Sequence, residues 1–100
     1  MGAANLALAG QTALVTGGAR RVGAEIVRHL HAAGARVAIH CHRSQAEAAA
    51  LAAELNAQRA GSALVCSADL LRFDALRGLV DGVVAGTGGL HILVNNASTF

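Results

Sequence analysis

The hydrophobic and polar positions of this chain alternate between short apolar runs and longer amphipathic segments. Four runs rich in Val, Ile and Leu lie at residues 12–16, 36–40, 62–67 and 91–95. They are too short for helices and are typical of strands buried on both faces. Between them, apolar residues recur at helical spacing and predict three amphipathic helices. The helices are predicted on Val22, Ile26 and Leu30, then on Leu51 and Leu55, then on Leu76, Val80, Val83 and Val84.

Glycines mark the ends of these helices. Gly34 follows the first helix, Gly61 follows the second, and the run at 86–89 closes the third. Ser44 and Glu47 fit a capping box at the start of the second helix. Strands that alternate with helices predict an α/β fold, a Rossmann-type doubly wound parallel sheet of four strands and three helices. In the strand order 3-2-1-4 the fourth strand is an edge, so we expect residues 1–100 to be the N-terminal part of a longer domain.

Composition and charge narrow the function classes. The chain has 100 residues, of which 54% are hydrophobic, and its mean hydropathy of +0.48 fits one small folded domain. The net charge of +2 comes without a basic run, which argues against nucleic-acid binding, and no apolar run is long enough to span a membrane. Cys41 and Cys66 lie in apolar runs without a paired framework, so we predict free thiols and a cytoplasmic location.

A glycine turn joins the first strand to the first helix. The segment from Thr16 to Gly23 reads TGGARRVG. Gly17 permits a tight turn and Gly23 lets the helix approach the sheet, which are two roles of a dinucleotide-binding turn. Backbone N–H groups and the positive end of the helix dipole then offer a phosphate site. A purely structural βα turn is the alternative reading, and Arg21 stands at the middle position, where such turns usually have glycine.

The end of the second strand indicates which nucleotide is bound. NAD-binding folds usually place a carboxylate there, whereas this chain has His42, Arg43 and Ser44. Together with the N-terminus of the second helix, these residues predict a pocket for a 2′-phosphate, so NADP is favoured over NAD. The alternatives are a plain helix cap for Ser44 and a solvated surface role for Arg43. His40 and His42 share a strand face but have no third ligand nearby, so no metal site is predicted.

These residues resemble the short-chain dehydrogenase/reductase family. Thr16, Gly17 and Gly23 match the family's glycine turn, and its N-N-A signature is matched at residues 95–97. The resemblance implies that Asp69, just after the third strand, lies beside the adenine. The cofactor contacts that it implies are Gly17, Arg20, Arg21, Val22, Gly23, His42, Arg43, Ser44, Asp69, Leu70, Asn96, Ala97 and Ser98.

Within that family the chain is similar to the pteridine reductases. The similarity rests on Arg21, on HRS after the second strand and on NNASTF after the fourth. It implies substrate contacts for Arg21, Ser98 and Phe100, with the phenylalanine stacking on a pterin ring. One departure is His91, where the family often has an aspartate, and this puts the local packing in doubt.

The family's Tyr-x-x-x-Lys has no counterpart, because the chain contains neither tyrosine nor lysine. No catalytic residue is therefore predicted in this segment. The expectation is the NADPH-binding part of a reductase that transfers hydride to a dihydropterin or dihydrofolate and is a homo-oligomer when complete. One alternative is a 3-oxoacyl thioester reductase of the same family. Another, from a different class, is a non-catalytic nucleotide-binding or subunit-interaction module.

Overall fold

The structure, a computed structural model, describes residues 6–97. Its elements, in chain order, are β1 (Thr12–Val15), α1 (Arg21–Ala32), β2 (Arg36–Cys41), α2 (Gln45–Gln58), β3 (Ala63–Ser67), α3 (Ala75–Thr87) and β4 (Ile92–Val94). The four predicted strands and three predicted helices are confirmed, and each strand end lies within one residue of its predicted position.

The four strands form one parallel sheet in the order β3-β2-β1-β4. Leu14 is paired with Ala38 on one side and with Leu93 on the other. The predicted doubly wound order is thus confirmed. Because all strands are parallel, their carboxyl ends lie along one edge of the sheet, which is where ligands of open α/β sheets bind.

Helices α1 and α2 cover what we call the first face of the sheet. Its core contains Val15, Val27, Ile39, Leu51 and Leu55, all almost fully buried. The predicted stripe on α2 is therefore correct. On α1 the prediction was wrong for Val22, which is 65% exposed, since the helix buries a neighbouring strip that begins at Gly23, Ala24 and Val27. The close approach of Gly23 to the turn fixes this rotation and directs Val22 outward.

Within the described residues, helix α3 is the one helix that covers the second face. Its buried residues are Leu79 and Val83, which pack on Leu14 of β1 and Ala38 of β2. The predicted residues Leu76 and Val84 are instead about 40% exposed. Strands β3 and β4 are only partly buried, so full burial was predicted correctly for β1 and β2 and wrongly for the two edge strands.

The two cysteines are free thiols, as predicted. Cys41 packs in the core of the first face, whereas Cys66 packs against the core of the second face. Burial raises the pKa of Cys41, and burial together with Cys41 raises the pKa of Cys66 to about 12. Both thiols are therefore protonated and weakly nucleophilic near neutral pH.

The start of α2 differs from the predicted capping box. Ser44 is the N-cap residue, but its side chain makes no capping hydrogen bond. Glu47 lies on the first turn and faces Arg20 across the helix pair, with 3.9 Å between the Arg20 Nε and Glu47 Oε2 atoms. The predicted capping hydrogen bond of Ser44 is therefore wrong, and the Glu47 carboxylate is directed toward Arg20 instead.

A buried polar cluster closes the opposite edge of the sheet. His31, at the end of α1, lies with its Nε2 atom 2.7 Å from the Ser62 hydroxyl. Arg59 donates hydrogen bonds to the carbonyl oxygens of His31 and Ala35. Burial and, secondly, the charge of Arg59 lower the pKa of His31. The ring is therefore harder to protonate in the folded chain than in the unfolded chain.

Candidate functional site

A cleft of about 710 Å³ opens at the carboxyl edge, where β1, β2 and β3 end. It is formed by the glycine turn, the segment after β2 and the segment after β3. The predicted cofactor residues that line it are Gly17, Arg20, Arg21, His42, Arg43, Ser44, Asp69, Leu70 and Ala97. The tertiary structure thus brings together residues that are up to 80 positions apart in the sequence.

The glycine turn has a left-handed residue at Gly17 and leaves no room for a side chain at Gly18 or Gly23. Gly17 has a φ of +64°, the left-handed conformation that glycine adopts without steric cost. A Cβ at Gly23 would overlap the carbonyl oxygen of Gly17 and lie 2.7 Å from the side-chain nitrogen of Asn96. A Cβ at Gly18 would lie 2.9 Å from the carbonyl oxygen of Val15. Side chains are therefore excluded on the sheet side of the turn, and the backbone stays close to the strand ends.

Arg21 occupies the middle position with a φ of +55°. The left-handed conformation costs a residue with a side chain roughly 1–2 kcal/mol, which explains why glycine suits this position. Arg21 is the first residue of α1, is exposed, and lines the cleft. The strained residue is thus one that lines the site, as is common for functional residues.

Sequence reasoning missed His40, which is 3% exposed at the end of β2. The N–H of Gly17 donates to His40 Nδ1 at 2.9 Å, and the N–H of Gly18 donates to the His40 carbonyl oxygen at 3.0 Å. These two N–H groups are therefore engaged inside the protein. The donors left for a phosphate are those of the first turn of α1, which lack intrahelical acceptors.

The segment after β2 carries the predicted 2′-phosphate residues. His42 and Arg43 are exposed, and Ser44 precedes α2 at its N-terminus. All three line the cleft. The Ser44 hydroxyl makes no capping hydrogen bond, so it is a further hydrogen-bonding group among the residues that line the cleft.

Asp69 and Leu70 form the wall of the cleft after β3. One Asp69 oxygen, Oδ1, accepts a hydrogen bond from the N–H of Leu71 at 3.0 Å. The other, Oδ2, lies 3.9 Å from His42 Nε2. Asp69 thus shapes its own turn and faces the segment after β2. It is also the single carboxylate among the described lining residues, against three arginines, so the cleft is predominantly cationic.

The segment after β4 is bonded to the glycine turn. The N–H groups of Asn96 and Ala97 donate to the Thr16 hydroxyl at 2.9 and 3.1 Å. The Asn96 side chain donates to the Gly17 carbonyl oxygen at 3.2 Å. Asn96 therefore braces the turn and does not line the cleft. The predicted contacts Ser98 and Phe100 lie outside the described residues.

His91, where the resemblance expected an aspartate, is hydrogen-bonded to the start of β1. Its Nδ1 atom accepts from the N–H of Thr12 at 2.9 Å, at the start of β1. The packing there is therefore intact.

Residues 6–97 contain no cluster of three or more His, Cys, Asp or Glu side chains that could hold a metal ion. None of the helices in this range has the length and apolar character needed to cross a bilayer.

The sheet order, the crowded glycine turn and the cationic cleft at the strand ends define a Rossmann-type nucleotide-binding fold. Residues 11–99 match the family model described as short chain dehydrogenase. The chain therefore belongs to the short-chain dehydrogenase family of oxidoreductases, as the resemblance predicted.

Several family members are similar to the chain. Pteridine reductase 1 of Leishmania tarentolae is 42% identical over 88% of this chain and 36% of its own length. The 4-formylbenzenesulfonate dehydrogenase of Comamonas testosteroni is 45% identical over 89% of this chain and 34% of its own. A crystal structure of FolM alternative dihydrofolate reductase 1 from Brucella canis, complexed with NADP, superposes with a TM-score of 0.85 at 46% identity and covers 93% of this chain and 37% of that one.

The chain thus spans about a third of the length of the relatives that it matches. The similarity to pteridine and dihydrofolate reductases agrees with the resemblance to the pteridine reductases that the sequence indicated. Members with other named activities reach comparable identity, and L-xylulose reductase of Bos taurus is 40% identical.

Proposed function

We propose that this chain is the NADPH-binding part of a short-chain reductase. The observation that carries the proposal is the segment after β2, where His42, Arg43 and Ser44 line the cleft and no carboxylate stands among them. A carboxylate at this position would repel a 2′-phosphate, whereas a guanidinium binds phosphate through charge-assisted hydrogen bonds.

The residues present fit a dinucleotide phosphate. The first turn of α1 offers N–H donors at the positive end of the helix dipole, and Gly17 and Gly23 let the turn lie close to the strand ends. Arg20 and Arg21 add positive charge at the turn. In this assignment the pyrophosphate lies at the turn, the 2′-phosphate at Arg43 and the adenine near Asp69 and Leu70. The bound cofactor supplies a hydride, and the protein binds and orients it.

The proposed substrate is a dihydropterin or dihydrofolate. Arg21 supports it, because a strained arginine at the mouth of the cleft offers planar donors to a heterocycle edge. The names of the pteridine and dihydrofolate reductases among the similar proteins give independent support. Ser98 and Phe100 keep their predicted substrate roles in this proposal, with the ring of Phe100 stacking on the pterin.

Cofactor choice is tested by Arg43→Ala in the full-length protein. We expect NADPH affinity to fall by about 10-fold to 150-fold, the equivalent of roughly 1.5–3 kcal/mol for a hydrogen bond to a charged group, while NADH affinity is nearly unchanged. Dissociation constants from titration calorimetry measure this. Arg77→Ala is the matched control, because Arg77 is exposed on α3 and does not line the cleft.

An equal loss for NADPH and NADH in Arg43→Ala would overturn the 2′-phosphate assignment. If the unaltered protein bound neither cofactor, the non-catalytic interaction module would be the better description. The same titration therefore separates a cofactor-binding protein from a subunit-interaction module.

Substrate class is tested by steady-state kinetics with dihydrobiopterin and a 3-oxoacyl thioester side by side. We expect Phe100→Ala to lower kcat/KM for the pterin by about tenfold or more, since stacking contributes about 0.5–1.5 kcal/mol beyond area burial. Arg21→Gly should damage pterin reduction and keep cofactor binding within about tenfold. Robust thioester reduction, with pterin turnover absent or indifferent to both substitutions, would favour the 3-oxoacyl thioester reductase.

A further inference from the structure

The ring of His40, near the end of β2, contacts both the turn after β1 and the segment after β3. Its Nδ1 atom accepts from the Gly17 N–H at 2.9 Å, and its Nε2 atom lies 2.9 Å from the carbonyl oxygen of Ala68, just after β3. The N–H of Ala68 in turn donates to the Cys41 carbonyl oxygen at 3.1 Å. One almost fully buried side chain thus connects the turn after β1 with the end of β3.

The two partners fix the protonation of this ring. A backbone N–H only donates and a carbonyl oxygen only accepts, so Nδ1 must carry the lone pair and Nε2 the proton. His40 is therefore the neutral Nε2–H tautomer. A second proton, on Nδ1, would point at the N–H of Gly17 and break that contact.

The position of Gly17 matters for the whole phosphate site. Its carbonyl oxygen is bonded by Asn96 and would be overlapped by any side chain at Gly23, so the turn has little room to shift. The first turn of α1, with its N–H donors, follows directly. On the other side of the ring, Ala68 is adjacent to Asp69 in the wall of the cleft.

We propose that His40 is a positioning residue for the dinucleotide. Its neutral ring holds the phosphate-binding turn and the end of β3 in one geometry, and protonation of the ring releases the turn and weakens cofactor binding. This inference rests on the proposed function, because it requires that the cleft binds a nicotinamide dinucleotide.

Several charged or titratable groups surround the ring. The charged groups that line the cleft come from the glycine turn and the start of α1, from the segment after β2 and from the segment after β3. Strand β3 also places a cysteine opposite His40 in the sheet. These groups are Arg20 and Arg21, His42 and Arg43, Asp69, and Cys66. The set contains three arginines and one carboxylate, Asp69. His42 lines the same cleft as His40, so the test must separate the two histidines.

Two substitutions of His40 test its two ring nitrogens separately. The side-chain oxygen of His40→Asn stands near the position of Nδ1 and keeps an acceptor for Gly17, whereas the side-chain amide of His40→Gln reaches toward Ala68 and loses that acceptor. In the full-length protein we expect His40→Gln to weaken NADPH and NADH alike, by about tenfold, because the turn faces the pyrophosphate that both cofactors share. His40→Asn should stay within about threefold of the unaltered protein.

The pH profile supplies a readout that a purely structural role would not move. NADH lacks the 2′-phosphate, so its affinity does not report the contribution of His42 there. We expect NADH affinity to fall on acidification in the unaltered protein and in His42→Asn, and to stay flat in His40→Asn. Nitrogen NMR of the histidine rings in the cofactor-free protein should show Nδ1 bare and Nε2 protonated at neutral pH.

Three results would overturn the proposal while leaving the proposed function intact. They are an Nδ1–H tautomer of His40, His40→Gln binding both cofactors as tightly as the unaltered protein, and an acid loss of NADH affinity that persists in His40→Asn. Failure of the unaltered protein to bind either cofactor would instead overturn the proposed function itself. If His40→Gln does not fold, the ring spectra and the profile of His40→Asn decide.

Discussion

The two faces of the sheet are packed very differently. On the first face α1 and α2 lie side by side, and the side chains that both helices direct toward the sheet are nearly inaccessible to solvent. On the second face α3 lies alone, and it leaves large apolar side chains such as Leu76 and Val84 about 40% exposed. Within residues 6–97, the first face is thus a closed layer and the second face is an open one.

The difference teaches how the site is supported. The glycine turn leads directly into α1, so the packing of α1 on the first face fixes the phosphate-binding end of that helix. Gly23 makes the closest of these contacts. Helix α3 contributes no residue to the cleft. Substitutions on the first face should therefore change both stability and cofactor binding, while those at exposed positions of α3 should change neither strongly.

The largest contrast is expected between two glycine substitutions in helices. Gly23→Ala places a Cβ against the Gly17 carbonyl oxygen, and we expect it to lower the free energy of unfolding by roughly 3 kcal/mol, as overpacking does, and to abolish cofactor binding. Gly78→Ala meets open space on α3 and should raise the free energy of unfolding by about 0.5–1 kcal/mol through helix propensity. Urea unfolding of the full-length variants measures both changes.

Gly78→Ala is the matched control, because the chemical change is identical and only the surroundings differ. The contrast between the faces would fail if the two variants unfolded at the same urea concentration. It would also fail if Gly78→Ala disturbed cofactor binding as much as Gly23→Ala.

The next largest effect is a pH dependence of the unfolding free energy, caused by His31 at the end of α1 on the first face. Burial lowers the pKa of His31 below its ordinary value of 6.5, so the folded state holds fewer protons than the unfolded state as the solution is acidified. The resulting stabilisation is fully present above about pH 6.5 and is lost as pH falls from there through the lowered pKa of the folded state. Unfolding free energies measured from about pH 8 to about pH 5 should show this loss.

His31→Gln should make that pH dependence shallower. His29→Gln, on the exposed side of the same helix, should leave it as it is. A pH profile of His31→Gln that coincides with the profile of the unaltered protein would show that the buried cluster does not respond to acid.

The smallest effect on stability is expected at Arg21. Arg21→Gly removes a left-handed strain of roughly 1–2 kcal/mol but adds about 0.5–1 kcal/mol of backbone entropy to the unfolded chain. The free energy of unfolding should therefore rise by about 1 kcal/mol or less. Arg21→Ala keeps the strained φ and should give no such gain. Thermal melts of the two variants compare them, and equal melting temperatures would count against strain at this residue.

Local patterns predicted most of the fold. Four short apolar runs and three helical periodicities identified every strand and helix, because the period of apolar positions reports directly on the local conformation. The phase of α1 was not predicted, since Val22 and Ala24 are both apolar and only the contact at Gly23 selects between them. The site was predicted where its residues belong to a motif. His40 was missed because a histidine inside a strand carries no local signal of what it contacts.

The sequence by itself determined the element order, the glycine turn and the basic character of the segment after β2, because each is encoded in neighbouring residues. Only the tertiary structure decided how these parts meet. It brought Asn96 to Gly17 across 79 positions and set His40 between Gly17 and Ala68. It also left one face of the sheet less covered than the other. The reason is physical: hydrogen bonds and packing between distant segments depend on strand order and helix rotation, and these emerge only when all elements pack at once.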